Sequence, residues 1–370
     1  MHILHFYKTS VPDTIGGVQK FIDELATNTA TVGLQNTVLA LTTKSEVTHY
    51  TINGYQVCLI PQLFEFASTP FSWKILKYFK KFVEEADIIH YHFPWPFADI
   101  VHLLTCVKKP TLLTYHSDIV KQKYLSKLYH PLMLYFLKKV NKIVATSPNY
   151  VQSSKILSLF ANKTSVIPLA LDKQNYPIPS KEVIGYWQNK FPNKFFLFTG
   201  VLRYYKGLNF LIEAAKYVNV PILIVGSGKI ESELRSLVNT LGVHNIHFLG
   251  QLSEENKTAL LMLCYAFVFP SHLRSEAFGL SLLEAAMFEK PMISCEIGTG
   301  TSYINYMNHT GHVVPPADSL ALAHAMQFFL DNPEQVAIMG HNAAVRYNSV
   351  FTTEKMSTEY IMLYKELLSI

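Results

Sequence analysis

The chain alternates short apolar runs with longer stretches in which apolar residues recur every three or four positions, and it does so twice over. Short runs suit strands buried on both faces, and the helical recurrence suits amphipathic helices that cover them. In the first half the runs predict strands at 2–7, 36–42, 55–60, 87–91, 110–115, 142–146 and 164–168. The stretches between predict helices at 17–32, 72–85, 121–140 and 148–160. In the second half strands are predicted at 195–199, 221–225, 245–249, 265–269, 291–295 and 311–314. Helices near 207–218, 230–241, 253–263, 279–289 and 318–330 intervene. This is the pattern of an α/β protein with parallel sheets. Between the halves, Asp172 to Ser180 is polar and broken by Pro177 and Pro179, so it reads as a linker.

A chain of 370 residues with 49% hydrophobic content can fill two cores of ordinary size. No apolar run reaches 18 residues, which excludes a spanning helix by sequence. The chain starts directly on strand-like Ile3-Leu4-His5-Phe6-Tyr7, without a signal-peptide layout. Cys58, Cys106, Cys264 and Cys295 are scattered, with no CxxC and no metal spacing. They read as reduced thiols of a cytoplasmic protein.

The net charge of +5 is uneven. Residues 1–175 carry 18 Lys/Arg against 11 Asp/Glu, or +7, and residues 176–370 carry 14 against 16, or −2. A basic first half calls for an acidic partner, such as anionic lipid or a phosphorylated acceptor, or is a plain solubilising surface. No nucleic-acid recognition motif accompanies it, so no nucleic-acid partner is expected.

The most informative stretch is Ser275-Glu276-Ala277-Phe278-Gly279-Leu280-Ser281-Leu282-Leu283-Glu284. Glu276 falls in a loop after a strand, and Glu284 falls inside the next helix. Five residues carry the chain roughly 7.5 Å from Gly279 to Glu284 along that helix. A carboxylate ahead of a helix start can accept sugar hydroxyls, and the free N–H groups of the first turn can hold an anion. Acidic groups near a helix start also occur simply because they favour the helix dipole.

Other strand ends carry chemistry of the same kind. Gly16-Gly17 follows the first strand and opens a helix, as either a phosphate cradle or a plain turn. Gly200 ends the first strand of the second half, and Arg203 and Lys206 follow it just before a helix. Cations there oppose the dipole unless a bound diphosphate removes the objection. Gly226-Ser227-Gly228 lacks the third glycine of a dinucleotide fingerprint and fits a tight turn near a nucleotide better.

His116 closes a strand, where it is either a sugar contact or a structural histidine. His90 and His92 share one strand face, but no third ligand is apparent, so no zinc site is expected. There is no G-x-S-x-G for a serine nucleophile, and Gly298-Thr299-Gly300-Thr301-Ser302-Tyr303 is not a Walker loop. Its glycines and hydroxyls are expected to line a donor pocket.

Together these segments resemble the retaining glycosyltransferases of family four, with the GT-B fold. The Gly16-Gly17 loop resembles the family's glycine loop, Arg203 and Lys206 its diphosphate-binding pair, and Glu276 with Glu284 its E-x7-E motif. Tyr115 to Gln122, Gly298 to Tyr303 and Thr310 to Pro316 are most similar to bacterial mannosyltransferases of O-antigen and exopolysaccharide assembly. The common glycine-glycine-x-proline-glutamate pattern is absent after Cys295.

The resemblance implies two Rossmann-like domains facing across a cleft. The acceptor-binding domain would be 1–173, the nucleotide-sugar-binding domain 174–351, and a C-terminal helix at about 352–370 would cross back to the first. Arg203 and Lys206 would bind the diphosphate and stabilise the leaving group. Glu276 would hold donor sugar hydroxyls, with the Ala277, Phe278 and Gly279 backbone nearby. Glu284 would hold the ribose, and His116 would contact the sugar near the reacting carbon. Gly200 and Gly226 would line the nucleotide. No metal and no cofactor beyond the nucleotide-sugar would be needed, GDP-mannose being favoured over a UDP-sugar. The acceptor would be a glycan, lipid-diphosphate-linked, at the inner face of the cytoplasmic membrane. The basic amphipathic stretches 73–82 and 121–142 would touch that surface or pack on the first sheet.

Overall fold

A computed structural model describes residues 1–14, 16–119 and 123–369. Val120, Lys121 and Gln122, part of the stretches singled out by sequence, lie outside the described residues. The chain divides into two compact units, Met1–Ala170 with Thr353–Ile370, and Leu171–Thr352.

The first unit holds β1 (His2–Phe6), β2 (Gln35–Thr42), β3 (Thr48–Ile52), β4 (Tyr55–Pro61), β5 (Phe64–Phe66), β6 (Thr69–Phe71), β7 (Ile88–Phe93), β8 (Thr111–Tyr115), β9 (Lys142–Ala145) and β10 (Thr164–Val166). Its helices are α1 (Gly17–Thr31), α2 (Ile75–Glu85), α3 (Pro96–Thr105), α4 (Lys123–Lys139) and α5 (Pro148–Ser153). The sheet runs β10-β9-β8-β7-β1-β2-β4-β3, parallel except for β3. Ile3, Leu4, Val38, Leu39, Ile88, Ile89, Leu112 and Leu113 are fully buried, as strands covered on both faces require.

The second unit holds β11 (Phe196–Thr199), β12 (Ile222–Val225), β13 (Ile246–Gly250), β14 (Ala266–Phe269), β15 (Met292–Cys295) and β16 (Gly311–Val314). Its helices are α6 (Lys181–Lys190), α7 (Leu208–Ala214), α8 (Glu231–Leu241), α9 (Glu254–Leu263), α10 (Leu280–Met287), α11 (Gly300–Ile304), α12 (Ser319–Asp331) and α13 (Pro333–Val350). The sheet is wholly parallel, in the order β13-β12-β11-β14-β15-β16. The last helix, α14 (Thr353–Ser369), belongs to the first unit, where Tyr360 and Tyr364 are fully buried.

Strand order reverses between β1 and β7 in one sheet and between β11 and β14 in the other. Loops leaving the carboxyl ends of adjacent strands diverge at such points and open a crevice. The chemistry-bearing loops of this chain leave β1, β7, β8, β11 and β14.

The expected strands all form, but three more appear. The β3–β4 hairpin turns on Asn53-Gly54, both with positive φ, a two-residue loop that the Asn-Gly pair announces. The β5–β6 hairpin is too short to show a period. The helix expected over 148–160 is broken. Ser154 is extended (φ −82, ψ 117), and a 3-10 turn at Leu157–Lys163 follows. The Ser154 hydroxyl donates to Asp118 at 2.9 Å, and this bond to the loop after β8 takes the place of helix continuation.

Candidate active site

In the second unit the loops after β11 and β14 lie side by side, the His272 N–H donating to the Tyr205 carbonyl at 3.0 Å. Gly207 makes this approach possible. Its φ is +68, and a Cβ there would sit 2.1 Å from the Pro270 oxygen. The Lys206 ammonium thereby reaches Glu276, with Nζ 2.5 Å from Oε2. The Ser271 hydroxyl donates to the same oxygen at 3.3 Å, and the ammonium lies 4.4 Å from the centre of the Phe269 ring. Both charged side chains are nearly buried, 11% and 12% exposed. Arg203, three residues earlier, is exposed. Two cations and one carboxylate therefore share the crevice at β11 and β14, a setting suited to an anion with hydroxyls attached.

Glu284 occupies a second position on α10, buried on the helix whose N-cap is Gly279. Its Oε1 accepts from the Tyr176 hydroxyl at 2.8 Å and from Lys257 Nζ at 3.2 Å. Burial lowers the Lys257 pKa, but the charges of Glu284 and Glu254 outweigh it and the net shift is upward. Each glutamate thus has its own lysine. Sequence reasoning missed both Lys257 and Tyr176. Lys257 lies on α9, which carried no motif in the sequence, and Tyr176 lay in the segment read as a linker. Within that segment Tyr176 is buried.

The remaining positions of this unit support the loops. Ala277 accepts from the Gly300 N–H at 2.9 Å, and the buried Phe278 packs 6.2 Å from Phe351. Gly200 donates its N–H to Val225 at 3.0 Å, and Gly226 donates to Gly250 at 2.7 Å. Of the hydroxyls expected to line a pocket, Thr301 is buried and Ser302 is half-exposed. Thr301 donates to the Cys295 carbonyl at 3.2 Å, and Ser302 donates to Glu296 at 2.9 Å.

In the first unit Gly16 is the N-cap of α1, and Gly17 begins it. A Cβ on Gly16 would come 2.7 Å from Gln19 Oε1, so the glycine lets Gln19 fold back and donate to Thr9 at 2.6 Å. Phe21, on the same helix, lays its ring against those of His92 and His116 at 5.8 and 5.1 Å.

The histidines behave differently from the sequence reading. His90 and His92 do gain a third partner, His5. The β1–β7 register sets it opposite His90, and one ring nitrogen from each of the three lies within 4.8 Å of the others. Each ring nitrogen is engaged in a hydrogen bond. His5 meets Asn36 and His92, His92 meets His5 and His116, and His90 meets Tyr364 at 2.8 Å and Thr114 at 2.7 Å. Burial holds His116 down to about 3 and His5 to about 4, and it depresses His90 and His92 well below the ordinary range. All four are neutral imidazoles at physiological pH.

Comparison with known proteins gives a consistent result. Residues 187–346 match the family model described as glycosyl transferases group 1, and residues 15–175 match glycosyltransferase family 4. The chain is 48% identical over 352 residues to the D-rhamnosyltransferase WbpZ of Pseudomonas aeruginosa, across 95% of this chain and 92% of that protein. It is 46% identical over 368 residues to the O-antigen chain mannosyltransferase C of Escherichia coli, across 100% and 99%. Among solved structures it resembles a sucrose-phosphate synthase from Thermosynechococcus elongatus, with TM-score 0.81, 20% identity, and coverage of 100% and 99%. Anabaena HepE in complex with UDP gives TM-score 0.80 at 17% identity, with coverage of 99% and 100%.

Proposed function

Since the chain belongs to the glycosyl transferases group 1 family and is a glycosyltransferase, we propose that it moves α-mannose from GDP-mannose onto a lipid-linked glycan of a bacterial surface polysaccharide, with retention. The observation that carries this reading is the Lys206–Glu276 pair beside exposed Arg203, at the point where the second sheet reverses its strand order. Lys206 and Arg203 neutralise the diphosphate as the bond to the anomeric carbon breaks. This preorganised charge is the kind of term that contributes most to such rate enhancements. Glu276 accepts hydroxyls of the donor sugar, and Glu284, held on one oxygen by Tyr176 and Lys257, takes the ribose. The names of the two relatives both point to sugars of manno configuration, D-rhamnose being 6-deoxymannose, and the name of the second points to O-antigen.

Calorimetric titration with GDP and with UDP, without added metal and then with magnesium, tests the donor. Tighter GDP binding is expected. Tighter UDP binding discards mannose and keeps the transferase. Binding of neither removes the donor role from Arg203, Lys206 and Glu284.

An acceptor anchored in a bilayer requires the enzyme to reach one. No described helix is long and apolar enough to cross a membrane. The first unit instead exposes Leu63, Phe64, Phe66 and Trp73 on and beside the β5–β6 hairpin. The Phe64 and Trp73 rings are joined through Phe71 and Phe97, and Lys74, Lys77, Lys80 and Lys81 are exposed directly after them. The buried face of α2 packs inward through Ile75 and Phe79, which leaves the hairpin aromatics to enter the headgroup region. Co-sedimentation with anionic vesicles at low salt is expected, and Phe64→Ser with Phe66→Ser should weaken it about tenfold or more. If the wild-type protein ignores anionic vesicles, the peripheral-membrane reading is discarded and the transferase reading stands.

A further inference from the structure

A single amide in the first unit sets the direction of a chain of hydrogen bonds. Thr29 donates its hydroxyl hydrogen to the Leu25 carbonyl at 2.7 Å, so its oxygen is left to accept. The Asn36 Nδ2 group donates to that oxygen at 3.0 Å and to the Ala26 carbonyl at 3.1 Å. Both partners are acceptors, so the amide has one orientation, and Oδ1 faces His5 Nε2 at 3.3 Å. His5 must therefore carry its proton on Nε2.

A neutral imidazole has one donor and one acceptor, and the constraint propagates. His5 Nδ1 is bare, so it accepts from His92 Nε2 at 3.2 Å. His92 Nδ1 is then bare and accepts from His116 Nε2 at 3.2 Å. All four side chains are buried, His116 being 6% exposed at the end of β8, and the low pKa values of the histidines keep the chain uncharged. Among the described residues nothing donates to or accepts from His116 Nδ1.

We infer that Asn36, acting through His5 and His92, fixes His116 as an imidazole protonated on Nε2 with a bare lone pair on Nδ1, so that it accepts a hydrogen bond from a neutral hydroxyl of the ligand and offers nothing to an anion. Asn36, His5 and His92 are positioning residues in this scheme. That the hydroxyl belongs to a sugar rests on the glycosyltransferase reading, but the hydrogen-bond chain does not. The β1–β7 switch point of the first unit therefore selects hydroxyls.

Two-bond proton–nitrogen correlation spectra of the ¹⁵N-labelled protein read the tautomer of each histidine, with His116→Gln supplying the assignment. His116 is expected to show a protonated Nε2 and an unprotonated Nδ1. Asn36→Leu removes the anchor, and His92→Phe removes the acceptor of His116. Each should mix the His116 tautomers and lower kcat/KM for transfer about tenfold, the effect of one hydrogen bond. GDP affinity should not change. His92→Gln retains one donor and one acceptor and should recover most of the loss, which a merely space-filling role would not produce. A wild-type His116 protonated on Nδ1 overturns the inference even if no variant folds. So does an unchanged tautomer in both Asn36→Leu and His92→Phe. The expected tautomer with no binding of GDP or UDP supports the chain and removes only the sugar as its ligand.

Discussion

Lys206→Met lowers kcat for sugar transfer about a thousandfold while leaving the fold intact. The methionine keeps the stem packed against Phe269 and removes only the charge that sits 2.5 Å from Glu276. If this ammonium stabilises the departing diphosphate, its loss is felt as negative charge builds on the leaving oxygen. The fall therefore appears in kcat more than in the binding of free nucleotide. A structural role makes a different forecast. Glu276 is 12% exposed, and among the described residues only Ser271 is left to its carboxylate without the lysine, which costs about 2–3 kcal/mol of stability. The double variant Lys206→Met/Glu276→Gln separates the two roles. It should regain the stability, because no unpaired charge remains, and it should not regain the rate. Steady-state turnover and thermal unfolding of the three proteins decide the matter. A Lys206→Met enzyme that keeps more than about a tenth of wild-type kcat sinks the leaving-group assignment.

Gly226→Ala should be among the most damaging small substitutions in the second unit. Gly226 has φ +131, a conformation in which a side chain is strained, and a Cβ there would sit 2.0 Å from the Gly200 carbonyl oxygen. That oxygen is backbone at the end of β11 and cannot rotate away. Relief requires the loops after β11 and β12 to separate, which stretches the bond from Gly200 N–H to Val225 and the bond from Leu202 N–H to Ser227. Strain and displacement together cost about 3 kcal/mol. For a unit of this size the expected fall in Tm is about 6–12 °C. Arg203 and Lys206 ride on the displaced loop, so nucleotide affinity should fall with stability. Unfolding by calorimetry and GDP titration on the same sample measure both. An alanine variant of wild-type Tm would show that the two loops have room to spare.

The motif residues were legible because each sits where a strand run stops and a helical period starts. The hydrophobic pattern places Gly200 to Lys206 and Glu276 to Glu284 at such junctions, and the family resemblance implied their roles. What they touch was not legible. Lys206 and Glu276 are 70 residues apart and become partners only because β11 and β14 are neighbours at the strand reversal. Tyr176 was read as part of a polar linker, and no local pattern distinguishes a tyrosine that will reach 108 residues ahead to Glu284. The glycines of Gly226-Ser227-Gly228 pointed to a turn near a nucleotide. Their close backbone neighbours are the protein's own, the Gly200 carbonyl beside Gly226 and the Leu202 backbone beside Gly228.

Hydrophobic periodicity by itself determined the α/β class, the parallel strands and the loops on which the chemistry would lie. Those properties depend on which residues must leave water, and that information is local. Tertiary structure decided the pairings. His5 and His92 come from two strands, His116 directly follows a third and Asn36 comes from a fourth, and only the sheet register brings their nitrogens and oxygen within 3.3 Å in series. A hydrogen bond depends on tenths of an ångström and on which partner holds the proton. Neither is written in residue order until the backbone has set the distance.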